Sequence, residues 1–378
     1  MRHIFLILLL PLLLWGCAAD IPEETEEPSE TITIETTVPA ETRPVDPMQM
    51  LLDSMTTEEK VGQLFLARCP SENALADIET YHLGGYLLFG QDFDGLTPDS
   101  FRAKIEAWQY TSPIPLLIAV DEEGGTVCRV SRNSAFRSRR FPSPRESFAA
   151  GGMEQVLAVE TEKAGLLRDL GINVNMGPVA DITTGFGSFM HDRALGEDPE
   201  MTGRFVSSTV SIYHNYRLGS VLKHFPGYGN NPDTHTDMVR DSRDLASLEA
   251  VDLQPFDAGI GVGADAILVS HNIVEAFDSE KPASLSPAVH EYLRSTMGFE
   301  GVIMTDDLVM EAITKAYGPE EASVLAILAG NDLLCSSEYP IQYPAVLEAV
   351  QSGRISEEHL ERSVRRVLEW KKELGLIF

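Results

Sequence analysis

Basic residues are in short supply in this chain: 29 Lys and Arg stand against 58 Asp and Glu, for a formal net charge of −29. A nucleic-acid partner is excluded on that ground, because its phosphates must be neutralised by Lys and Arg. Electrostatic attraction to an anionic membrane surface is excluded for the same reason. Cysteine is scarce too. Beyond Cys17, near the N-terminus, only Cys69, Cys128 and Cys335 remain. They are odd in number and scattered, so they imply no disulfide framework. No Cys-x-x-Cys pair is available for zinc. The Gly-x-Gly at 261–263 lacks the strand-then-helix setting of a dinucleotide loop. Apolar runs of the roughly 20 residues needed to span a bilayer are missing as well.

What is present at the N-terminus is a secretory leader. Met1-Arg2-His3 precedes a short apolar run over 4–14, followed by Trp15-Gly16-Cys17. A basic start, a short apolar stretch and a small residue before the break are the marks of a signal peptide. Leu14-Trp15-Gly16-Cys17 is similar to a bacterial lipobox, so residues 1–17 are expected to form a lipoprotein signal with Cys17 lipidated. That implies an extracytoplasmic protein, lipid-anchored to the cell membrane. Residues 18–47 are expected to be a tether: they are rich in Glu, Thr and Pro, with few large apolar side chains. Such a segment cannot bury enough surface to offset chain entropy, and its like charges extend it.

From residue 48 to 378 the composition turns globular. Residues 48–55 suggest a short helix, and Thr56-Thr57-Glu58-Glu59 a capping box opening the next. Eight apolar runs follow, over 61–69, 85–90, 115–124, 172–181, 219–227, 264–272, 301–307 and 330–335. Near-continuous Val, Ile and Leu runs fit parallel strands buried on both faces, with helices as crossovers. The first run also fits a helical period over 57–66. Polar residues gather at the C-terminal ends of these runs: Asp121-Glu122-Glu123, Asp181, Lys223-His224, His271-Asn272 and Asp306-Asp307. In a (β/α)8 TIM barrel those ends form one rim, where active sites are built. The expected fold is therefore α/β, a single (β/α)8 barrel, and the polar rim favours an enzyme.

Three segments carry the chemistry. The loop Lys223-His224-Phe225-Pro226-Gly227-Tyr228-Gly229-Asn230-Asn231-Pro232-Asp233-Thr234-His235 puts a carboxylate two residues from an imidazole. A carboxylate on one ring nitrogen fixes the tautomer and tunes the imidazole as a proton donor and acceptor. A metal reading for His235 and Asp237 lacks a third ligand, so no metal or organic cofactor is expected. In Val302-Ile303-Met304-Thr305-Asp306-Asp307, an apolar strand ends in two carboxylates. One can serve as a nucleophile, while Asp307 can cap the next helix. In Asp121-Glu122-Glu123-Gly124-Gly125-Thr126-Val127-Cys128-Arg129, the acids and the arginine look placed to bind hydroxyls.

Together these segments resemble family 3 of the glycoside hydrolases, specifically its single-domain β-N-acetylhexosaminidases. The similarity runs over nearly all of the globular part and includes His191-Asp192-Arg193-Ala194-Leu195-Gly196-Glu197-Asp198-Pro199. The resemblance implies Asp306 as nucleophile and His235 as acid/base catalyst, assisted by Asp233. It implies that Asp121, Arg129, Arg193, Lys223 and His224 grip the terminal sugar. The implied reaction is retaining removal of β-linked N-acetylglucosamine from oligosaccharides, chitin-type fragments or cell-wall muropeptides. Tyr228 stands where the family often has histidine, and Thr126 where it often has arginine. The alternatives are a β-glucosidase or N-acetylglucosaminide phosphorylase of the same family, or a solute-binding or wall-binding lipoprotein. The β-glucosidase reading calls for a second α/β domain after the barrel.

Overall fold

The computed structural model describes residues 46–234 and 238–378. The expected signal peptide, the lipidated Cys17 and nearly all of the tether lie outside the described residues, as does His235. The first helix, Pro47–Ser54, is capped by Asp46, whose carboxylate accepts the Met48 N–H at 3.0 Å. The next helix, Thr57–Gln63, opens on the expected capping box. Thr56 accepts from the Glu59 N–H, and Glu59 accepts from the Thr56 N–H at 2.8 Å. The 61–69 run is therefore split: helix to Gln63, then a strand from Phe65. Each half-pattern in that run was real, and the cap decided where the helix begins.

Eight parallel strands form the barrel. They are β1 (Phe65–Arg68), β2 (Gly85–Leu88), β3 (Leu117–Val120), β4 (Val174–Asn175), β5 (Gly219–Phe225), β6 (Ala266–Val269), β7 (Val302–Thr305) and β8 (Leu334–Ser336). Each pairs with its neighbour in sequence, and β1 pairs with β8. A bridge between Met304 and Leu333 joins β7 to β8 and closes the ring. Seven of the eight expected runs thus contain a whole barrel strand, and the eighth, 330–335, stops one residue short of the end of its strand. β4 is only two residues long, because Asn175 is followed by Met176-Gly177-Pro178 and pairing resumes at a lone Val179–Lys223 bridge. Proline has no N–H to offer a ladder.

Alternation along the strands sorts the core. Leu66, Leu87, Leu117, Ala119, Val174, Val221, Leu268 and Met304 point into the barrel and form one cluster. Their neighbours, such as Phe65, Tyr86, Ile118, Ile267 and Ile303, face outward into two clusters beneath the helices. The barrel-interior cluster also contains Val367, Trp370 and Leu374 from the last helix, Glu357–Glu373. This helix plugs the N-terminal end. Gly219 opens β5 there, and a Cβ on it would lie 2.8 Å from the Trp370 ring. A larger residue would collide with the plug.

Candidate active site

At the opposite end the barrel is open. A cavity of about 400 Å³ sits on the C-terminal strand ends. Its floor is the top layer of the barrel interior, Leu87, Met176, Leu268 and Cys335. Its walls include Asp121, Arg129, Arg193, Lys223, His224 and Asp306. Six of the residues singled out from sequence therefore line one cavity. Asp233 stands half-buried on the adjoining loop.

Asp306 is the first residue beyond β7, and its N–H still bonds the Val269 carbonyl at 3.1 Å, continuing the ladder from β6. Its carboxylate accepts the Asp307 N–H at 2.8 Å. Asp307, also at the cavity wall, is engaged by its neighbours. It accepts from the Ser337 hydroxyl, from the Ser337 N–H at 3.2 Å and from the Val309 N–H at 3.3 Å. Burial pushes its carboxyl above the usual range. The expected helix-capping role for Asp307 is not what the structure shows. The helix Glu311–Thr314 begins after Met310 with no side-chain cap, and Asp307 instead ties the tip of β7 to the segment after β8. A carboxylate two residues past a strand end is too early to cap a helix that starts at 311.

The wall opposite is a continuous ion chain. Lys223 Nζ, at the end of β5, lies 2.6 Å from Asp121 Oδ1 and 2.6 Å from Glu123 Oε1. Glu123 in turn receives Arg193 in a two-point contact, Nη2–Oε1 2.8 Å and Nε–Oε2 2.9 Å. Arg193 Nη2 reaches His224 Nε2 at 3.1 Å, and His224 Nδ1 meets Asp181 Oδ2 at 2.7 Å. A guanidinium can only donate, so His224 Nε2 is the acceptor and its proton sits on Nδ1, donated to Asp181. Burial alone would push Glu123 up, but Arg193 and Lys223 hold it well below the ordinary carboxylate range. Burial works against the charge on Lys223 too, yet Asp121 and Glu123 keep its pKa raised. Removing one member of such a buried set strands a charge and costs about 3–5 kcal/mol.

Lys223 and His224 are consecutive, yet both face the cavity. The pairing of β5 with β6 shifts register between Lys223 and Phe225, which breaks the in–out alternation at that point. Tyr228 braces the loop that follows. It is buried, its hydroxyl lies 2.5 Å from Thr234 Oγ1, and its ring meets His224 edge-on at 5.2 Å. Burial raises the pKa of its phenol, and the charges of Asp306, Asp181 and Asp233 add to this. Asn230 fastens the same loop to Thr183, Thr184 and Gly185. Asp233 thus follows a stretch, 228–230, that is fixed beside the cavity.

Arg129 places its guanidinium 5.5 Å from the centre of the Phe89 ring, and Arg68 lies 4.5 Å from the same ring. Both arginines line the cavity. The segment bearing Arg129 is held by Glu122, whose buried carboxylate accepts the N–H groups of Arg129 at 2.9 Å and Val130 at 2.7 Å. Glu122 therefore serves the backbone and not the cavity, contrary to the expectation that all the acids here bind hydroxyls. Alternation was the available signal: Asp121 and Glu123 share one face of the chain and Glu122 takes the other. Sequence reasoning missed Glu123 as the hub of the ion chain and left Asp181 without a role. Phe89, Arg68 and Ser337 carried no motif that would have marked them.

Comparison with known proteins agrees with this geometry. Residues 56–370 match the profile of the glycosyl hydrolase family 3 N-terminal domain. The chain is 31% identical over 329 residues to the β-hexosaminidase LpqI of Mycobacterium tuberculosis, covering 84% of this chain and 83% of that protein. It is 34% identical over 287 residues to a β-hexosaminidase of Xanthomonas oryzae, covering 72% of this chain and 82% of that one. Among solved structures, a family 3 β-N-acetylglucosaminidase from Paenibacillus superposes with a TM-score of 0.80 at 33% identity. That match covers 85% of this chain but only 63% of the Paenibacillus chain, so the present chain spans less than two thirds of it. The M. tuberculosis LpqI structure gives a TM-score of 0.78 at 28% identity, covering 86% of this chain and 96% of that one. The barrel, the rim motifs and the profile match converge, and this chain belongs to glycoside hydrolase family 3.

Proposed function

We propose that the chain is a retaining β-N-acetylhexosaminidase that releases terminal β-linked N-acetylglucosamine. The observation that carries this reading is Asp306 at the tip of β7, set in a cavity of about 400 Å³ that also holds the Lys223–Glu123–Arg193–His224 chain. A cavity of that size suits one sugar ring, and pockets for small molecules start near 300 Å³. Lys223, Arg193 and Arg129 supply donors to ring hydroxyls, and Asp121 supplies an acceptor. Their mutual ion pairs hold these groups in place before the sugar arrives, which lowers the cost of ordering them on binding.

In the first step an Asp306 carboxylate oxygen bonds to the anomeric carbon as the glycosidic C–O bond breaks. His235 gives its proton to the leaving oxygen. In the second step water, deprotonated by His235, displaces Asp306 and restores it. Asp233 orients and charges the imidazole. A histidine in this role keeps a second anion away from the nucleophile. The mechanism requires no metal or organic cofactor.

The finer reading places the enzyme outside the cytoplasm, anchored through Cys17, with cell-wall fragments as substrates. The leader sequence at 1–17 supports the location, and relatives named β-hexosaminidase support a hexosamine-bearing substrate. The direct test is hydrolysis of aryl β-N-acetylglucosaminide and aryl β-glucoside side by side. Turnover confined to the first is expected, and a preference for the glucoside would overturn the assignment. Membrane fractionation of the wild type and Cys17→Ser tests the anchor, and a fully soluble wild type would refute it.

A further inference from the structure

His271 lies just beyond β6, fully buried, and is not among the described residues that line the cavity. Its ring nevertheless reaches the segment that carries Asp306. His271 Nε2 lies 3.0 Å from the carbonyl oxygen of Asp307, and Nδ1 lies 2.7 Å from Ser284 Oγ. A carbonyl can only accept, so Nε2 carries a proton and donates it there; in the neutral ring Nδ1 then accepts from the Ser284 hydroxyl. Ser284 is itself held on both sides. Its N–H donates to the Ser270 carbonyl at 3.0 Å, and its carbonyl accepts from Asn331 Nδ2 at 2.8 Å. The hydroxyl behind the imidazole therefore fixes both its tautomer and its orientation.

Asp307 is gripped at three points. Its carbonyl is held by His271 from the β6 side, and its carboxylate by the Ser337 hydroxyl from the β8 side. Its N–H donates to Asp306 Oδ1 at 2.8 Å. The first two bonds fix the residue, and the third bears on the chemistry. A carboxylate rotates about its Cβ–Cγ bond unless a donor holds one of its oxygens. The Asp307 N–H is such a donor, and it sets the angle at which the Asp306 carboxylate meets the anomeric carbon. The direction of that N–H depends on the Asp307 main chain, which His271 and Ser337 hold from the two neighbouring strands.

We propose that His271 is a positioning residue for the nucleophile: backed by Ser284, it fixes the Asp307 main chain so that the Asp307 N–H holds the Asp306 carboxylate at its attacking angle. This rests on the reading of Asp306 as nucleophile. A misplacement of about 1 Å can cost roughly 10²-fold in rate, so a hydrogen bond two steps from the substrate is felt in the chemical step. Asp121 and Lys223, which hold the sugar, stand at the ends of β3 and β5, so sugar binding is spared.

The test uses the full chain. One readout is kcat and KM on an aryl β-N-acetylglucosaminide. The other is covalent labelling by 5-fluoro-N-acetylglucosaminyl fluoride, resolved into its maximal rate and its half-saturating concentration. His271→Gln places an amide N–H where Nε2 stood and keeps the bond to Asp307. His271→Asn is too short to reach that carbonyl. The Asn variant should lose about 10- to 100-fold in kcat and in maximal labelling rate, with KM and half-saturation within about twofold of the wild type. The Gln variant should recover most of the loss. Ser284→Ala keeps the imidazole but removes the hydroxyl that orients it, and should show a smaller loss of the same kind. If the histidine variants fail to fold, Ser284→Ala decides, and a wild-type labelling rate in it overturns the proposal. Equal losses in the Gln and Asn variants, or an Asn variant that labels at the wild-type rate, overturn it as well. A loss confined to KM and half-saturation would make His271 a binding residue. A smaller labelled fraction at an unchanged rate would make it a residue of the fold alone, and either result overturns the positioning role. A wild type that the probe leaves unlabelled removes the nucleophile itself, and the positioning role falls with it.

Discussion

At the N-terminal end of the barrel, Val367, Trp370 and Leu374 fill the space between the strands with apolar volume. At the C-terminal end the same space is left open, and its walls are charged and buried. Both ends exclude disorder, but by different means. The lower end relies mainly on close packing of apolar side chains. The upper end relies on ion pairs, whose geometry matters more than their net energy, since buried pairs contribute little stability against apolar replacements. The division follows the general polarity of these barrels, with stability below and chemistry above. It also implies that mutations at the two ends should fail in different ways.

The largest contrast is expected at the rim. General acid help is worth roughly 10²–10⁴-fold, and most for a poor leaving group. His235→Ala should therefore cut hydrolysis of an N-acetylglucosamine disaccharide by that factor while slowing the first step on an activated aryl glycoside far less. Asp233→Ala should show a weaker form of the same pattern. Equal losses on both substrates would make His235 a binding residue. Next in size is a matched pair of truncations. Trp370→Ala should cost about 3–5 kcal/mol of unfolding free energy, read by urea titration, with KM and kcat of the surviving enzyme unchanged. Glu123→Ala should cost a similar amount by freeing Arg193 and Lys223, but with KM raised as well. If the two variants show the same kinetics, the division between the ends fails.

A smaller, pH-dependent effect belongs to the lower end. Lys371 is buried on the last helix with its Nζ 2.6 Å from Gln63 Oε1, and burial pushes its pKa down to about 7. An unfolded chain holds that proton up to about pH 10.4. Between pH 7 and 10 the unfolded state therefore binds more protons than the folded one, so stability rises with pH across that window. Lys371→Met should be more stable than the wild type by a few kcal/mol below pH 7, and the gap should narrow toward pH 10. A gap independent of pH would show that Lys371 is neutral, or charged, throughout.

The barrel was legible because eight apolar runs carried polar ends, and a parallel barrel buries strands on both faces. The first run was ambiguous because a helix and a strand lie within nine residues of each other, and only the Thr56–Glu59 cap separates them. At the site, motif residues such as Lys223, His224 and Asp306 could be named from sequence. Their partners could not. Glu123 and Asp181 gain their roles from Arg193 and His224, which come from other strands and loops, and such contacts follow from closure of the ring. Asp307 looked like a cap because sequence shows which residue follows a strand, not which way its side chain turns.

Retention at the anomeric carbon depends on the proposed covalent glycosyl–enzyme at Asp306. That intermediate is tested most directly by incubating the protein with 5-fluoro-N-acetylglucosaminyl fluoride, measuring the intact mass and mapping the labelled peptide. The expected result is a mass increase of one fluorosugar, located on Asp306 and absent from Asp306→Ala. A label on Asp307, or turnover with inversion at the anomeric carbon and no adduct, would contradict it.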